Sequence, residues 1–158
     1  MTLTTLIAPS MPVSLAQAKL QCRVDHNDDD SIITGYIAAA TRHVEASYSL
    51  SIMPRTYRLV FEGSTATLLN GPVTSIVQVA YDGGLAAEYS LINGVLTVTW
   101  PDGVEGGFVD YVSGNNDAPD AVHAILLLIG QFYDDREGMD GQIDFAVKSL
   151  MHPTWRAL

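Results

Sequence analysis

Asp25, His26, Asn27, Asp28, Asp29 and Asp30 gather the groups that hold hard cations and, through the imidazole, transition metals. Laid on the calcium-loop pattern, Asp25, Asn27 and Asp29 take the first three ligand positions. Asp30 then stands where glycine makes the turn and Tyr36 where the bidentate glutamate belongs, so the pattern fails. The run reads instead as a capped helix start with a solvated acidic corner. His26, His43, His123 and His152 lack zinc-helix spacing, and the single Cys22 gives no cysteine pair. A nucleophilic serine needs a glycine elbow, and Ser113-Gly114 has no glycine two residues before the serine. No G-x-x-x-x-G-K phosphate cradle occurs, and the lysines are only Lys19 and Lys148. Asp134, Asp135, Glu137, Asp140 and Asp144 could pair carboxylates for acid–base work, but at a helix end and loop they read as hydrated surface. No catalytic residue, cofactor or metal is expected.

The elements that must carry these groups follow from periodicity. Residues 1–13 hold two prolines and no period, which predicts an extended arm. Ser14 with Gln17 forms a capping box opening a short helix to about Cys22, with Leu15, Ala18 and Leu20 as its apolar positions. Asp28 to Asp30 start a second helix, where carboxylates meet free amides and the positive end of the dipole. Ile33, Ile37, Ala40 and Val44 carry it to about Ser49.

After Pro54 the period becomes twofold: Tyr57, Leu59 and Phe61 alternate with Arg58, Val60 and Glu62. Strands are expected near 66–69, 75–81, 86–92, 95–100 and 107–113, separated by turn chemistry at Asn70-Gly71-Pro72, Asp82-Gly83-Gly84, Asn93-Gly94 and Pro101-Asp102-Gly103. An antiparallel sheet or small barrel is the simplest outcome, with Trp100 in its core. Asp117 caps a third helix that Pro119 opens; Val122, Ile125, Leu126, Ile129, Phe132 and Tyr133 form its inner face to about Arg136. A last short helix, Gln142 to Met151, ends at Pro153. The expected fold is α+β in one domain, 1–158: a small bundle of about four helices with an antiparallel β insertion between the second and third.

The 158 residues suffice for one hydrophobic core, and 47% hydrophobic content is ordinary. Charged residues are only 16%, leaving a surface of small polar residues or one partly covered by partners. No signal-peptide pattern opens the chain and no apolar stretch approaches the ~18 residues of a spanning helix, so a soluble protein is expected. Lone Cys22 suits a reducing cytoplasm and reads as a small buried apolar residue. A net charge of −10 repels a phosphate backbone. Trp155, beyond Pro153, is either folded back on its own core or held by another subunit.

Taken in order, these segments resemble the head-tail connector family of tailed bacteriophages, also called adaptor proteins. Its members open on a Pro-Val-Ser-Leu-x-x-Ala-Lys phrase, here Pro12 to Lys19, followed by Arg-Val-Asp before an acidic patch and a helix rich in Ile, Ala and Val, here Arg23 to Tyr48. A Pro-x-Thr-Tyr-x-Leu strand follows at Pro54 to Leu59, then Gly-Pro-Val at Gly71 to Val73. A Pro-led helix containing Ala-Ile-Leu-Leu-Leu closes the series at Pro119 to Leu128, with Tyr133 to Glu137 as its Tyr-x-x-Arg-Glu ending. The first helix departs from the family's common ending, reading Leu20-Gln21-Cys22.

The resemblance implies a virion protein assembling as a ring, commonly of twelve copies, below the portal protein at the head-tail junction, after residence in the host cytoplasm during assembly. The ring would extend the DNA channel and dock a tail-side stopper or tail-completion protein, with double-stranded DNA passing without specific binding and no membrane involved. Met151, His152, Trp155, Arg156 and Leu158 are the candidate portal-contact tail. Asp28, Asp29, Asp30, Asp134, Asp135 and Asp140 are the candidate acidic channel or surface cluster. An anionic wall agrees with such a conduit. Two rivals are an acidic DNA-mimic inhibitor, for which 16% charge is sparse, and a small ligand-binding protein using the β insertion as a pocket.

Overall fold

Ser14 begins the first helix because its side chain and that of Gln17 satisfy each other's backbone: Ser14 N donates to Gln17 Oε1 at 2.9 Å and Gln17 N to Ser14 Oγ at 3.3 Å. In the computed structural model, which describes residues 1–7, 10–86, 88–114 and 118–134, this helix is α1, Leu15–Cys22. It ends where Arg23 turns left-handed at φ 57° and its N–H reaches the Leu20 carbonyl. α2, Asp30–Tyr48, buries Ile33, Ile37, Ala40 and Val44, the expected stripe, and also Thr41, whose hydroxyl donates to the Ile37 carbonyl at 2.7 Å. α3, Pro119–Asp134, buries Ala121, Ala124, Ile125, Leu128 and Ile129.

These three helices pack pairwise into one unit, with Tyr36 of α2 against Phe132 of α3 at 5.9 Å between ring centroids. Two expected inner faces are corrected. Leu20 is 80% exposed, because it lies about 200° round the helix from buried Ala18. On α3, Val122 and Leu126 are only half-buried, and the alanines at 121 and 124 face the core instead. Three helices stand among the described residues, so the bundle of four is not what they build. The expected fourth helix, 142–151, and the Asp117 cap lie outside them.

The strands form a second unit. Thr2–Ile7 is β1, followed after the helices by β2 Arg55–Glu62, β3 Thr65–Thr67, β4 Val73–Tyr81, β5 Gly84–Leu85, β6 Glu88–Ile92, β7 Val95–Thr99 and β8 Gly106–Ser113. Two antiparallel sheets result, ordered β1-β2-β8-β4-β5 and β3-β7-β6. The arm expected at 1–13 is therefore partly a strand: Thr2 pairs with Val60 and Leu3 with Leu59, so the β unit is not wholly an insertion between helices.

Alternation decides the core. Tyr57, Leu59 and Phe61 from β2, Val79 from β4, and Val109 and Tyr111 from β8 meet Ala66, Leu68, Leu96 and Val98 from the smaller sheet and its approach. The result is two packed sheets. Trp100 is half-buried at the margin, donating Nε1–H to the Gly63 carbonyl at 2.9 Å and packing on Phe61 and Tyr81. The Asn93-Gly94 hairpin is as read, with both residues at positive φ, 50° and 76°.

Tyr111 is wholly buried, with its ring on Tyr57 and its hydroxyl donating to the Leu69 carbonyl at 2.9 Å. Burial pushes its hydroxyl from 10 up to about 12. The folded state thus keeps a proton that the unfolded chain releases near pH 10, so the stability tied to this group is complete below that pH and falls as pH rises toward 12. The expected loss by pH 11.5 is about 2 kcal/mol. Urea titrations at pH 8 and pH 11.5 measure it, with Tyr111→Phe as the reference that removes this one proton. Equal losses in the two proteins would remove the assignment.

Candidate assembly surfaces

In the helical unit, the acidic run meets the end of α3. Asp30, in the first turn of α2, accepts from Lys19 Nζ at 2.7 Å, and Lys19 also donates to Asn27 Oδ1 at 2.8 Å. Asp29 accepts from the Tyr133 hydroxyl at 2.6 Å. Asp28 points into solvent, its side chain 95% exposed and 3.9 Å from the His26 imidazole. Asp134, the last residue of α3, is exposed near Cys22. Burial first, and the Asp134 carboxylate second, push the Cys22 thiol up, which keeps it protonated and a weak nucleophile. The structure thus gathers Asp28, Asp29, Asp30 and Asp134 at one end of this unit, and Lys19, which the sequence reading left without a role, is its counter-charge. Asp135 and Asp140 lie outside the described residues, as do Met151, His152, Trp155, Arg156 and Leu158.

In the β unit, the sheet face opposite the core carries a charged lock. Arg58 forks onto Asp110 with Nε–Oδ1 at 2.7 Å and the second nitrogen–Oδ2 at 2.8 Å, while Gln78 Nε2 donates to Oδ2 at 2.6 Å. The guanidinium also lies 4.1 Å over the Phe108 ring. The Arg58 hydrogen bonds, helped by Gln78 against the opposing effect of burial, hold the Asp110 carboxyl below its ordinary range. Sequence reading missed this network, because β2, β4 and β8 are joined only by pairing across dozens of residues.

Beside the lock lies an open groove of about 530 Å³, bordered by Val60, Phe108, Glu62, Asp82 and Glu105 over Gly106 and Gly107. No basic side chain lines it, so it offers nothing to a phosphate or carboxylate. Among the described residues, no three His, Cys, Asp or Glu side chains come together as a metal site, and no helix is long and apolar enough to cross a membrane.

Exposed apolar side chains gather on the hairpin. All five residues of β6 are exposed, and Tyr89, Leu91, Ile92 and Val95 are exposed large apolar groups. β6 and β1 each form one edge of their sheet.

The whole-chain fold recurs in solved particles. One chain in the structure of the virion of a native gene transfer agent particle superposes with a TM-score of 0.76 at 21% identity, covering 98% of this chain and 95% of that one. A chain from the neck of the empty gene transfer agent particle, computed with C6 symmetry, gives 0.73 at 21% identity over 95% of this chain and 93% of that one. A chain from the neck of the native particle, computed with C12 symmetry, gives 0.72 at 20% identity over 96% and 93%. These likenesses establish the fold. No curated protein matches by sequence. The family model described as phage gp6-like head-tail connector protein matches residues 12–81, which span α1, α2 and the first strands of the β unit after them. With its characteristic segments in that order, this part of the chain is similar to the phage gp6-like head-tail connector family.

Proposed function

We propose that the protein works as a ring of identical subunits at the virion neck, extending the DNA channel from the portal toward the tail. The observation that carries this reading is the family match over residues 12–81, supported by likeness along nearly the whole chain to a neck chain in a particle computed with C12 symmetry. Twelve copies is the corresponding stoichiometry. The role is structural and involves no catalytic step.

The physical properties of the chain suit a conduit. A net charge of −10 repels passing phosphates, so DNA slides without adhering. The carboxylates Asp28, Asp29, Asp30 and Asp134, with Asp135 and Asp140, are proposed to face the channel or the solvated outer surface. The tail of Met151, His152, Trp155, Arg156 and Leu158 is proposed to grip the portal, with Trp155 as the anchor. The opposite side of the ring would receive a tail-side stopper.

The test is electron microscopy of the full chain with its portal protein, beside a truncation lacking 151–158. Rings stacked on portals are expected for the full chain, and unattached or weakly attached subunits for the truncation. Full-chain subunits that stay solitary with portal present would overturn the ring, and a truncation that still decorates portals would overturn the tail assignment. Retention of duplex DNA by the ring at physiological salt would overturn the passive channel.

A further inference from the structure

The hairpin β6–β7 is exposed where a folded chain ordinarily covers itself. β7 alternates exposed and buried residues, but β6 is exposed at all five positions, on both faces. Its pairing with β7 runs unbroken from Glu88–Thr99 to Ile92–Val95, and no described strand lies on its other side. A two-residue turn at Asn93-Gly94 closes on the hydrogen-bonded pair Ile92–Val95, so Tyr89 and Leu91 turn their backbone N–H and C=O away from β7. Free strand edges are normally protected by Pro, Lys, a bulge or a covering element, and β6 has none of these among the described residues.

The same unit offers a second edge, regular from Thr2 to Thr5, with a register shift only at its end between Thr5 and Ile7. β1 is the outer strand of the larger sheet, and at six residues it matches the five of β6 in length. The other strands at sheet margins, β3 and β5, have three and two residues. Charge narrows the partner. Subunits carrying −10 each repel one another, so contact between copies must form where charge is sparse. Residues 84–99 contain one charged side chain, Glu88, and no charged side chain precedes Lys19 in the chain. Two different neutral edges on one subunit are what a head-to-tail ring requires, whereas an edge that met its own copy would stop at a dimer.

Resting on the ring reading above, we infer that the β6 edge of one subunit takes up β1 of the next copy by strand addition. Tyr89, Leu91 and Ile92 are covered in the contact, and main-chain hydrogen bonds set its register.

Three proteins test this: the native chain, Tyr89→Lys/Ile92→Lys, and Thr4→Cys/Tyr89→Cys with Cys22→Ala. Each is checked for fold by circular dichroism and for assembly by sedimentation and microscopy with portal present. The native chain is expected to form rings, and the lysine variant to keep its melting temperature while needing about tenfold or more higher concentration to assemble. The cysteine pair is expected to give, on oxidation, a ladder of covalent multimers. Lysine-variant rings that form as readily as native ones overturn the edge contact while leaving the ring itself standing. A weakened lysine variant without a ladder overturns β1 as the occupant. A lysine variant that melts earlier as a monomer, with unchanged rings, shows that the edge is covered within its own chain and also overturns the inference. Absence of rings from the native chain overturns the ring reading, and this contact with it.

Discussion

Gly107→Ala is expected to destabilise the β unit by about 3 kcal/mol, near the upper end of overpacking costs, although it adds a single methyl group. Gly107 sits opposite Phe61 in the central pairing of β2 with β8, on the face that looks into the core. A Cβ there would collide with the Ala80 carbonyl oxygen of β4 and come within 2.7 Å of Trp100 Cη2. Neither neighbour can yield cheaply. The carbonyl belongs to the backbone of the adjoining strand, and Trp100 is pinned by its bond to Gly63 and its contacts with Phe61 and Tyr81. Relief requires β4 and β8 to part where their ladder closes at Ala80 and Phe108. Urea unfolding followed by indole fluorescence measures the change. A loss under about 0.5 kcal/mol, the scale of ordinary surface substitutions, would mean that the strands separate more easily than their pairing implies.

Leu59→Ala is expected to cost about 2–5 kcal/mol, and Val60→Ala less than about 1 kcal/mol, though the residues are adjacent. Leu59 is fully buried among Val109, Tyr111, Leu96 and the other core side chains, so its removal leaves a cavity. Val60 points to the opposite face and is 46% exposed, so its truncation opens no void. Paired thermal melts of the two variants distinguish a packed two-sheet core from a single sheet with two equivalent faces. Similar losses would contradict the assignment of faces.

The limits of the sequence reading are seen in particular residues. The Arg58–Asp110–Gln78 lock could not be found, because its members share no local pattern and meet only through the order β2-β8-β4. Residues 1–13 read as an extended arm without a period, because an edge strand such as β1, buried on little of its surface, carries no alternation: of Thr2 to Leu6 only Leu3 is even half-buried. Hydrophobicity alone points Leu20 inward, but on an eight-residue helix buried Ala18 turns it to solvent. The candidate acidic cluster was legible as two acidic runs, but that Asp29 bonds Tyr133 and Asp134 lies by Cys22 depends on how α2 and α3 pack.

The sequence by itself determined what short-range chemistry controls. It placed the capping box at Ser14 and Gln17, the apolar stripe of α2, the twofold alternation of β2, the Asn93-Gly94 turn and the ordered phrases that resemble the connector family. Tertiary structure alone decided that the strands divide into two sheets, that the first of them precedes the helices, and that β6 and β1 are outer strands among the described residues. Hydrogen-bonding and burial patterns along a strand are nearly the same whichever neighbour it takes. The choice of partner is made by packing between residues far apart in the chain, which local periodicity does not encode.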